Sequence, residues 1–218
     1  MAEPAAGLRE RKKARLRQEI SDVATRLFAE HGFEQVTLAQ IADAAEVSVK
    51  TIFNHFGSKE ELYFDRANEI EDTFARTITE RAPGVTALAA LRSLLVENLV
   101  PFSGRGWEGA DDPRLRAFFA TQDRSPALQA RRLLIGEELS GRLREVLAHQ
   151  LDRDPDDPPL LSFVAMLTAA LALRERVLRE AVAEASTTAE VRRRVTAVVD
   201  DAFVRLERAF GDVDLPPF

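Results

Sequence analysis

The stretch Thr37–Lys59, TLAQIADAAEVSVKTIFNHFGSK, predicts two short helices joined by a tight turn at Glu46. Thr37 is suited to cap the first helix, because its hydroxyl can accept a hydrogen bond from a free backbone N–H one turn further on. Apolar residues at helical spacing then give this helix one buried face, made of Leu38, Ile41, Ala42 and Ala45. Ser48 caps the second helix, whose predicted buried face consists of Ile52, Phe53 and Phe56.

The second of these helices leaves a mostly polar set of side chains pointing outward near its start. They are Val49, Lys50, Thr51, Asn54 and His55. A helix, a tight turn and a short helix with a polar exposed face form the layout of a helix-turn-helix that reads DNA. We expect Val49 and Lys50 to help read bases, and Asn54 to pair with adenine where it reaches one.

The region from about residue 15 to residue 65 resembles the TetR family of transcriptional regulators. The residues that carry the resemblance are Gly32, Phe33, Thr37, Ile41, Ala42, Ala45, Val47, Ser48, Thr51, Phe53, His55, Phe56, Lys59 and Leu62. The resemblance implies that Thr37, His55 and Lys59 contact phosphates. With the outward residues of the second helix, the predicted DNA-contacting set is Thr37, Ser48, Val49, Lys50, Thr51, Phe53, Asn54, His55 and Lys59.

Two positions depart from the family pattern. Glu46 stands in the turn where the family usually has glycine, and left-handed backbone geometry at this residue would cost about 1 kcal/mol or more. Phe53 stands where the family commonly has tyrosine, so this chain lacks any phosphate contact that the tyrosine hydroxyl makes in relatives.

The composition is that of a soluble globular protein with one domain or two small ones. The 218 residues are 45% hydrophobic and 30% charged, and their preference for leucine, alanine, arginine and glutamate favours helix over sheet. There is no cysteine, which excludes disulfides, thiolate metal sites and cysteine nucleophiles. No apolar run reaches the ~18 residues of a membrane span, and no apolar signal segment follows the amino-terminal basic residues. We therefore expect no membrane partner and a cytoplasmic location.

The net charge of −6 is unevenly distributed along the chain. Residues 1–17 contain six basic side chains against two glutamates, a net charge of +4, which leaves −10 on the remainder. The basic residues are Arg9, Arg11, Lys12, Lys13, Arg15 and Arg17. Positive charge concentrated at one end of an acidic chain favours phosphate contact by that part.

The rest of the sequence predicts helices and no strand, hence an all-α fold. We expect disorder at 1–8, a helix from Arg11 to His31, and a fourth helix from Lys59 to about Ile78 that ends before Pro83-Gly84. Further helices are predicted at 85–100, 113–122, 126–151, 160–185 and 188–210. A three-helix DNA-binding domain with the helix-turn-helix should span residues 10–66, and a helical ligand-binding and dimerisation domain residues 67–218.

The last two predicted helices carry long apolar stripes, which we interpret as a four-helix interface between two copies of the chain. The predicted interface residues are Leu167, Leu171, Val195, Val198, Phe203 and Leu206. An internal helical hairpin is the alternative. A homodimer suits a helix-turn-helix that reads a palindromic operator in double-stranded DNA, and the family resemblance implies the same.

A small-molecule pocket is predicted among the middle helices. Its apolar lining would be Phe102, Trp107, Phe118, Phe119, Phe163 and Met166, with Arg131 or Arg132 facing an anionic group. The alternative is that these aromatic residues are ordinary core. The sequence from Ser125 to the Asp-Pro-rich loop before Leu160 resembles a TetR subgroup assigned acyl-CoA-like ligands, which implies a ligand of that kind.

Other motifs fail the tests of their chemistry. The glycines of 104–109 do not follow a strand, as a dinucleotide-binding loop requires, and the loop from Asp152 lacks the glycine and closing glutamate of a calcium site. The three histidines are scattered, so we expect no metal, cofactor or catalytic site. The sequence thus predicts a ligand-responsive dimeric regulator, most simply a repressor released from its operator. The alternatives are a ligand-independent DNA-binding protein and a helical enzyme.

Overall fold

The computed structural model describes residues 4–98 and 109–210. These residues form ten helices and no strand, which confirms the predicted all-α class. The helices are α1 (Pro4–His31), α2 (Leu38–Ala44), α3 (Val49–His55), α4 (Lys59–Tyr63), α5 (Ala67–Thr79), α6 (Ala87–Glu97), α7 (Pro113–Arg124), α8 (Pro126–Leu151), α9 (Pro158–Ala183) and α10 (Thr188–Phe210). Within the described ranges, no helix has the length and apolar character needed to cross a membrane.

The described residues divide into two compact units. The first contains residues up to 65 together with 120–131, and the second contains the remaining residues from 66 onward. The end of α7 and the start of α8 therefore join the helix-turn-helix unit, which the division predicted from the sequence did not include. The Ser125 hydroxyl supports this placement, because it donates a hydrogen bond to the Glu34 carboxylate.

The first unit is built around an aromatic cluster that the ends of α1 and α4 share. The rings of Phe28, Phe33 and Tyr63 lie 5.1–5.7 Å apart between centroids, and all three are at most 3% exposed. Ile41 of α2 and Ile52 of α3 are fully buried in the same unit. Ile41 and Ile52, both predicted to be buried, thus anchor α2 and α3 in the core of this unit.

The second unit has a long hairpin at its centre, because α10 packs on both α9 and α6, and α6 packs on α5. Val195 and Phe203 of α10 contribute to a core that also contains Leu91 of α6 and Leu178 of α9. Arg174 of α9 is only 4% exposed, and its guanidinium donates to the carbonyl oxygens of Leu95 and Asn98 at the end of α6. A buried cation therefore caps the carboxyl end of α6.

Two predicted helix boundaries are wrong. The first helix begins at Pro4 and not at Arg11, so the expected disorder does not hold for residues 4–8. The fourth helix is interrupted between Tyr63 and Ala67. Asp65 explains the break, because its backbone carbonyl accepts from Arg17 and its carboxylate accepts from the hydroxyl of Ser21.

The predicted dimer interface needs correction. Leu167, Val195, Phe203 and Leu206 are at most 2% exposed and belong to the core of their own chain. Side chains that are already buried within the subunit cannot form contacts with a second copy, so these four assignments are wrong. Leu171 and Val198 are half-buried. The internal hairpin, which was the alternative interpretation, accounts for the stripe.

Candidate nucleic-acid interface

The amino ends of α2 and α3 are fixed by side-chain caps, as predicted. The Thr37 hydroxyl accepts from the Gln40 amide at 3.2 Å, and the Gln40 side chain accepts from the Thr37 amide at 2.8 Å. This reciprocal pair is a capping box, and the signal for it was present in the sequence as Thr-Leu-Ala-Gln. At α3, the Ser48 hydroxyl accepts from the Thr51 amide at 3.0 Å. The two hydroxyls therefore set where each short helix begins.

The turn between α2 and α3 places Glu46 in the left-handed region, with φ of 53°. The Val47 amide donates to the Ala42 carbonyl at 2.9 Å, and the Glu46 amide donates to the Asp43 carbonyl at 3.2 Å. These two bonds form a Schellman motif, in which the left-handed position is usually glycine. The turn thus adopts this motif with an unfavourable residue at its left-handed position.

Helix α3 turns one face to the core and the other to solvent. Ile52 is fully buried, whereas Lys50 and Asn54 are exposed as predicted. Phe53 was expected on the buried face, and this is wrong, because 52% of its surface is exposed. Residues four apart share a face of a helix, so Phe53 lies with Val49, which is 37% exposed. The outward face of α3 therefore combines a cation, an amide and two apolar groups.

The carboxyl end of α3 is held by Arg17 of α1. Its guanidinium donates to the His55 carbonyl and lies 4.0 Å from the centroid of the Phe56 ring. The pKa of the His55 imidazole is lowered from its usual 6.5 by burial, and further by the charges of Arg17 and Lys13. The Nδ1 atom of His55 is buried and has no hydrogen-bond partner among the described residues. His55 is therefore predominantly neutral at neutral pH.

Lys59 has an internal role in addition to the predicted phosphate contact. Its half-buried ammonium donates to the carbonyl oxygens of Phe33 at 2.9 Å and Val36 at 3.0 Å, and lies 4.1 Å from the Phe33 ring centroid. Two of its three N–H groups thus fix the segment that leads into α2. The sequence could not show this contact, because the three residues meet only in the folded unit.

The basic residues at the start of the chain lie on α1 as a helical extension. Five of them are exposed, namely Arg9, Arg11, Lys12, Lys13 and Arg15, and we call this set the basic arm. Arg15 forms an ion pair with Glu19 at 2.7 Å on the same helix. Arg17 does not belong to the arm, because it is held by the carbonyls of His55 and Asp65. The basic arm therefore presents its cations on a helix, and the charge of one of them, Lys13, acts on His55 at the end of α3.

The described members of the predicted ligand-binding set lie in several different surroundings. Phe102 and Trp107 lie outside the described residues. Phe118 is half-buried on α7, and Phe119 packs on the core of the second unit with the guanidinium carbon of Arg179 at 4.8 Å from its ring centroid. Phe163 packs edge-on against Phe210 at 5.2 Å in that core.

Two further members of the predicted pocket belong to different units. Arg131 belongs to the first unit, whereas Met166 belongs to the second. Met166 is 43% exposed, which does not fit the wall of an enclosed cavity. A groove of about 520 Å³ does exist in the second unit, and charged side chains make up half of its lining residues. Its lining consists of Glu69, Asp72, Thr73, Ala75, Arg76, Thr79, Arg142 and Val146. Nowhere in the described ranges do three His, Asp or Glu side chains form a group that could hold a metal ion.

Comparisons with known proteins agree with this geometry. Residues 20–65 match the family model described as bacterial regulatory proteins of the tetR family. The chain is 34% identical over 151 residues to the HTH-type transcriptional regulator TcmR of Streptomyces glaucescens, an alignment that covers 69% of this chain and 67% of TcmR.

Solved structures share the fold at lower identity. The SmeT–triclosan complex superposes with a TM-score of 0.56 at 22% identity, covering 87% of this chain and 90% of SmeT. FadR from Bacillus subtilis in complex with stearoyl-CoA gives a TM-score of 0.51 at 18% identity, covering 87% of this chain and 96% of FadR. At such identities the likeness is one of architecture, and it extends across both units.

Proposed function

This chain belongs to the TetR family of bacterial regulatory proteins and is a DNA-binding transcriptional regulator, and we propose that it acts in the cytoplasm as a homodimeric repressor that a small ligand releases from its operator. The observation that carries this function is α3, a capped helix that presents Lys50 and Asn54 to solvent in a unit whose α1 carries five exposed cations. Such a helix fits the major groove, where cations and amides can hydrogen-bond base edges.

We divide the proposed DNA contacts into those that read base edges and those that position the protein on the DNA backbone. We assign Lys50 and Asn54 to base edges, and Thr37, Ser48 and Thr51 to the backbone near the amino ends of α2 and α3. The basic arm adds phosphate contacts that carry no sequence information but raise affinity at low salt. His55 and Lys59 stay assigned to phosphates, with the third N–H of Lys59 available for this contact.

The dimer surface is better sought on the outer side of the α9–α10 hairpin than in its core. Large apolar side chains are exposed there at Leu161 (38%), Met166 (43%) and Val204 (43%). Neighbouring small residues on α9, such as Ala165 and Ala169, are also exposed and would permit close helix approach. We propose that this face meets its copy, so that two α3 helices reach successive major grooves of a palindrome.

The adjacent residues Phe203 and Val204 test the dimer surface with matched substitutions. Phe203→Asp should unfold the second unit, because an unpaired charge replaces a side chain that is 2% exposed. Val204→Asp should keep the helical circular dichroism spectrum but give monomers by light scattering and weaken operator binding. A Val204→Asp protein that remains dimeric at micromolar concentration would remove this face from the interface.

The ligand is proposed to be apolar or amphipathic and to bind in the second unit. Triclosan and stearoyl-CoA, which occupy the SmeT and FadR complexes, illustrate the two types, and an acyl-CoA-like molecule is the amphipathic choice. A ligand that prefers the conformation unable to bind DNA shifts the population toward that conformation. By linkage, operator DNA must then weaken ligand binding by the same factor.

The central experiment is selection of operator sequences from a random duplex library with the full chain. Recovery of a palindrome confirms regulation through DNA, and failure to enrich any sequence would contradict it. Lys50→Ala should change the recovered sequence. Arg11→Ala in the basic arm should weaken binding to all sequences and, because each subunit of the dimer loses one phosphate contact, lower the salt slope by about 2.

Acyl-CoAs of increasing chain length and a panel of hydrophobic drugs are then titrated into the labelled complex. Release of DNA by at least one ligand supports the sensor function. If both panels leave the complex intact while DNA binding is specific, a ligand-independent DNA-binding protein is the better description.

A further inference from the structure

On the basis of the regulatory function proposed above, we infer that Val49 and Phe53 form an apolar reading pair that recognises the C5-methyl groups of thymines in the operator. Among the described residues of the first unit, these two are the large hydrophobic side chains that remain exposed, at 37% and 52%. Both lie on α3, the helix with seven residues that carries the outward Lys50 and Asn54.

The two side chains are placed to act together. They are four residues apart, so they lie one above the other on one face of the helix. Ile52 and Phe56, each three residues from a member of the pair, are at most 2% exposed and occupy the adjoining, buried side of the helix. Exposure of Val49 and Phe53 is therefore a consequence of how α3 packs, and their burial must come from a partner outside the unit.

The surroundings of the pair favour DNA as that partner. Lys50 is exposed between the two apolar residues in sequence, and the charges of Arg17 and Lys13 act on His55 at the end of the same helix. These positive charges around the apolar pair favour a negatively charged partner such as DNA. In the major groove, the thymine methyl is the apolar group that base edges offer, and valine and phenylalanine side chains can contact it.

Phenylalanine at position 53 also favours an apolar contact. A phenyl ring has no hydroxyl to donate to a phosphate, so burial against an apolar group is the contact that it can make. Each half-site should therefore contain at least one thymine whose methyl group contributes to affinity. A protein partner with an apolar face is the competing occupant, and it predicts no dependence of operator affinity on thymine methyl groups.

The test replaces thymine with uracil, which removes only the methyl group. After the operator has been selected, each thymine of a half-site is substituted in turn and affinity is measured by fluorescence anisotropy. Loss of one methyl contact should weaken binding about fourfold in one half-site, and about fifteenfold when both half-sites are substituted. Insensitivity of a specific operator to every uracil substitution would overturn the inference while leaving DNA-binding regulation intact.

Variants identify the protein side of the contact. Phe53→Ala and Val49→Ala should each bind the thymine operator more weakly, and at least one should bind the thymine and uracil operators equally well. Leu134→Ala is the matched control, because Leu134 is 57% exposed but lies in the second unit. It should retain the full sensitivity to uracil. If Phe53→Ala and Val49→Ala both retain that sensitivity too, another residue reads the methyl group and the assignment fails.

Discussion

Replacement of Glu46 by glycine should stabilise the helix-turn-helix unit. With φ of 53°, Glu46 is in a left-handed conformation that costs an L-residue about 1–2 kcal/mol. Glycine avoids this cost but loses about 0.5–1 kcal/mol through its greater freedom in the unfolded chain. The amide bonds of Glu46 and Val47 to the carbonyls of Asp43 and Ala42 do not involve the side chain, so glycine keeps them. The net gain should be about 0.5–1 kcal/mol.

Differential scanning calorimetry of the full chain measures this gain as a rise in melting temperature of the first unit. A unit of this size should melt about 2–8 °C higher, because 1 kcal/mol corresponds to about 4–8 °C. Hydrogen exchange at the Val47 amide provides a local measurement. Glu46→Ala is the control for the loss of charge and should show no comparable gain, because alanine keeps the strained φ.

The second unit supplies a matched test of the same reasoning. Ala185 has φ of 58° at the end of α9, where the Ser186 amide donates to Ala181 and the Ala185 amide donates to Val182. Ala185→Gly should therefore gain a similar amount in the second unit. The strain argument is refuted if Glu46→Gly melts at or below the wild-type temperature, or if Glu46→Ala gains as much as Glu46→Gly.

Three further changes have defined outcomes. Operator affinity should rise as the pH falls below about 6.5, because the pKa of His55 lies below 6.5 in the free protein and a nearby phosphate would raise it. His55→Gln should lose this dependence, and anisotropy at constant salt measures it. Hydrogen bonds from Arg193 and then Arg194 lower the pKa of Glu190 to about 2. The ionised Glu190 therefore stabilises the folded state above pH 4.5, and this stabilisation is lost as the pH falls toward 2. The denaturant midpoint of Glu190→Gln should vary less over this pH range than that of the wild type. Arg174→Ala should destabilise the second unit by about 2–4 kcal/mol in chemical denaturation, because the Leu95 and Asn98 carbonyls lose this buried donor. An unchanged denaturation midpoint would show that the cap of α6 contributes nothing to stability.

The sequence predicted those features that depend on neighbours along the chain. The bounds of α8 and α10 agree with the predicted 126–151 and 188–210. Pro126 and the turn at Asp152 mark the two ends of α8, and the turn at Ala185 precedes α10. The caps at Thr37 and Ser48 were found for the same reason, since a hydroxyl and the amide it accepts from are three residues apart. The helix-turn-helix is local in this sense and could be recognised from its residues alone.

Features that depend on the folded unit were missed. Phe53 and Phe203 are both apolar residues within helical stripes, yet one is 52% exposed and the other 2% exposed. Periodicity shows that a face is apolar but does not show whether the same chain or a partner covers it. For this reason the core of the α9–α10 hairpin was mistaken for a subunit interface. The break after Tyr63 was missed because Ser21 and Arg17, which hold Asp65, are distant in sequence.

The cations of the first unit serve stability and DNA binding in different proportions, and salt dependence can separate the two. Arg17 and Lys59 are bound to backbone carbonyls, so their removal should lower both the stability of the unit and the fraction able to bind DNA. A reduced competent fraction lowers the observed affinity by the same factor at every salt concentration. Removal of an exposed cation such as Arg11 should leave the fold intact and, through the proposed phosphate contact, release one counterion fewer per subunit, which changes the slope of affinity against salt. In a plot of log affinity against log salt concentration, Lys59→Ala should therefore lower the affinity at every salt concentration and change the slope less than Arg11→Ala does. Equal changes of slope for the two variants would assign Lys59 primarily to phosphate.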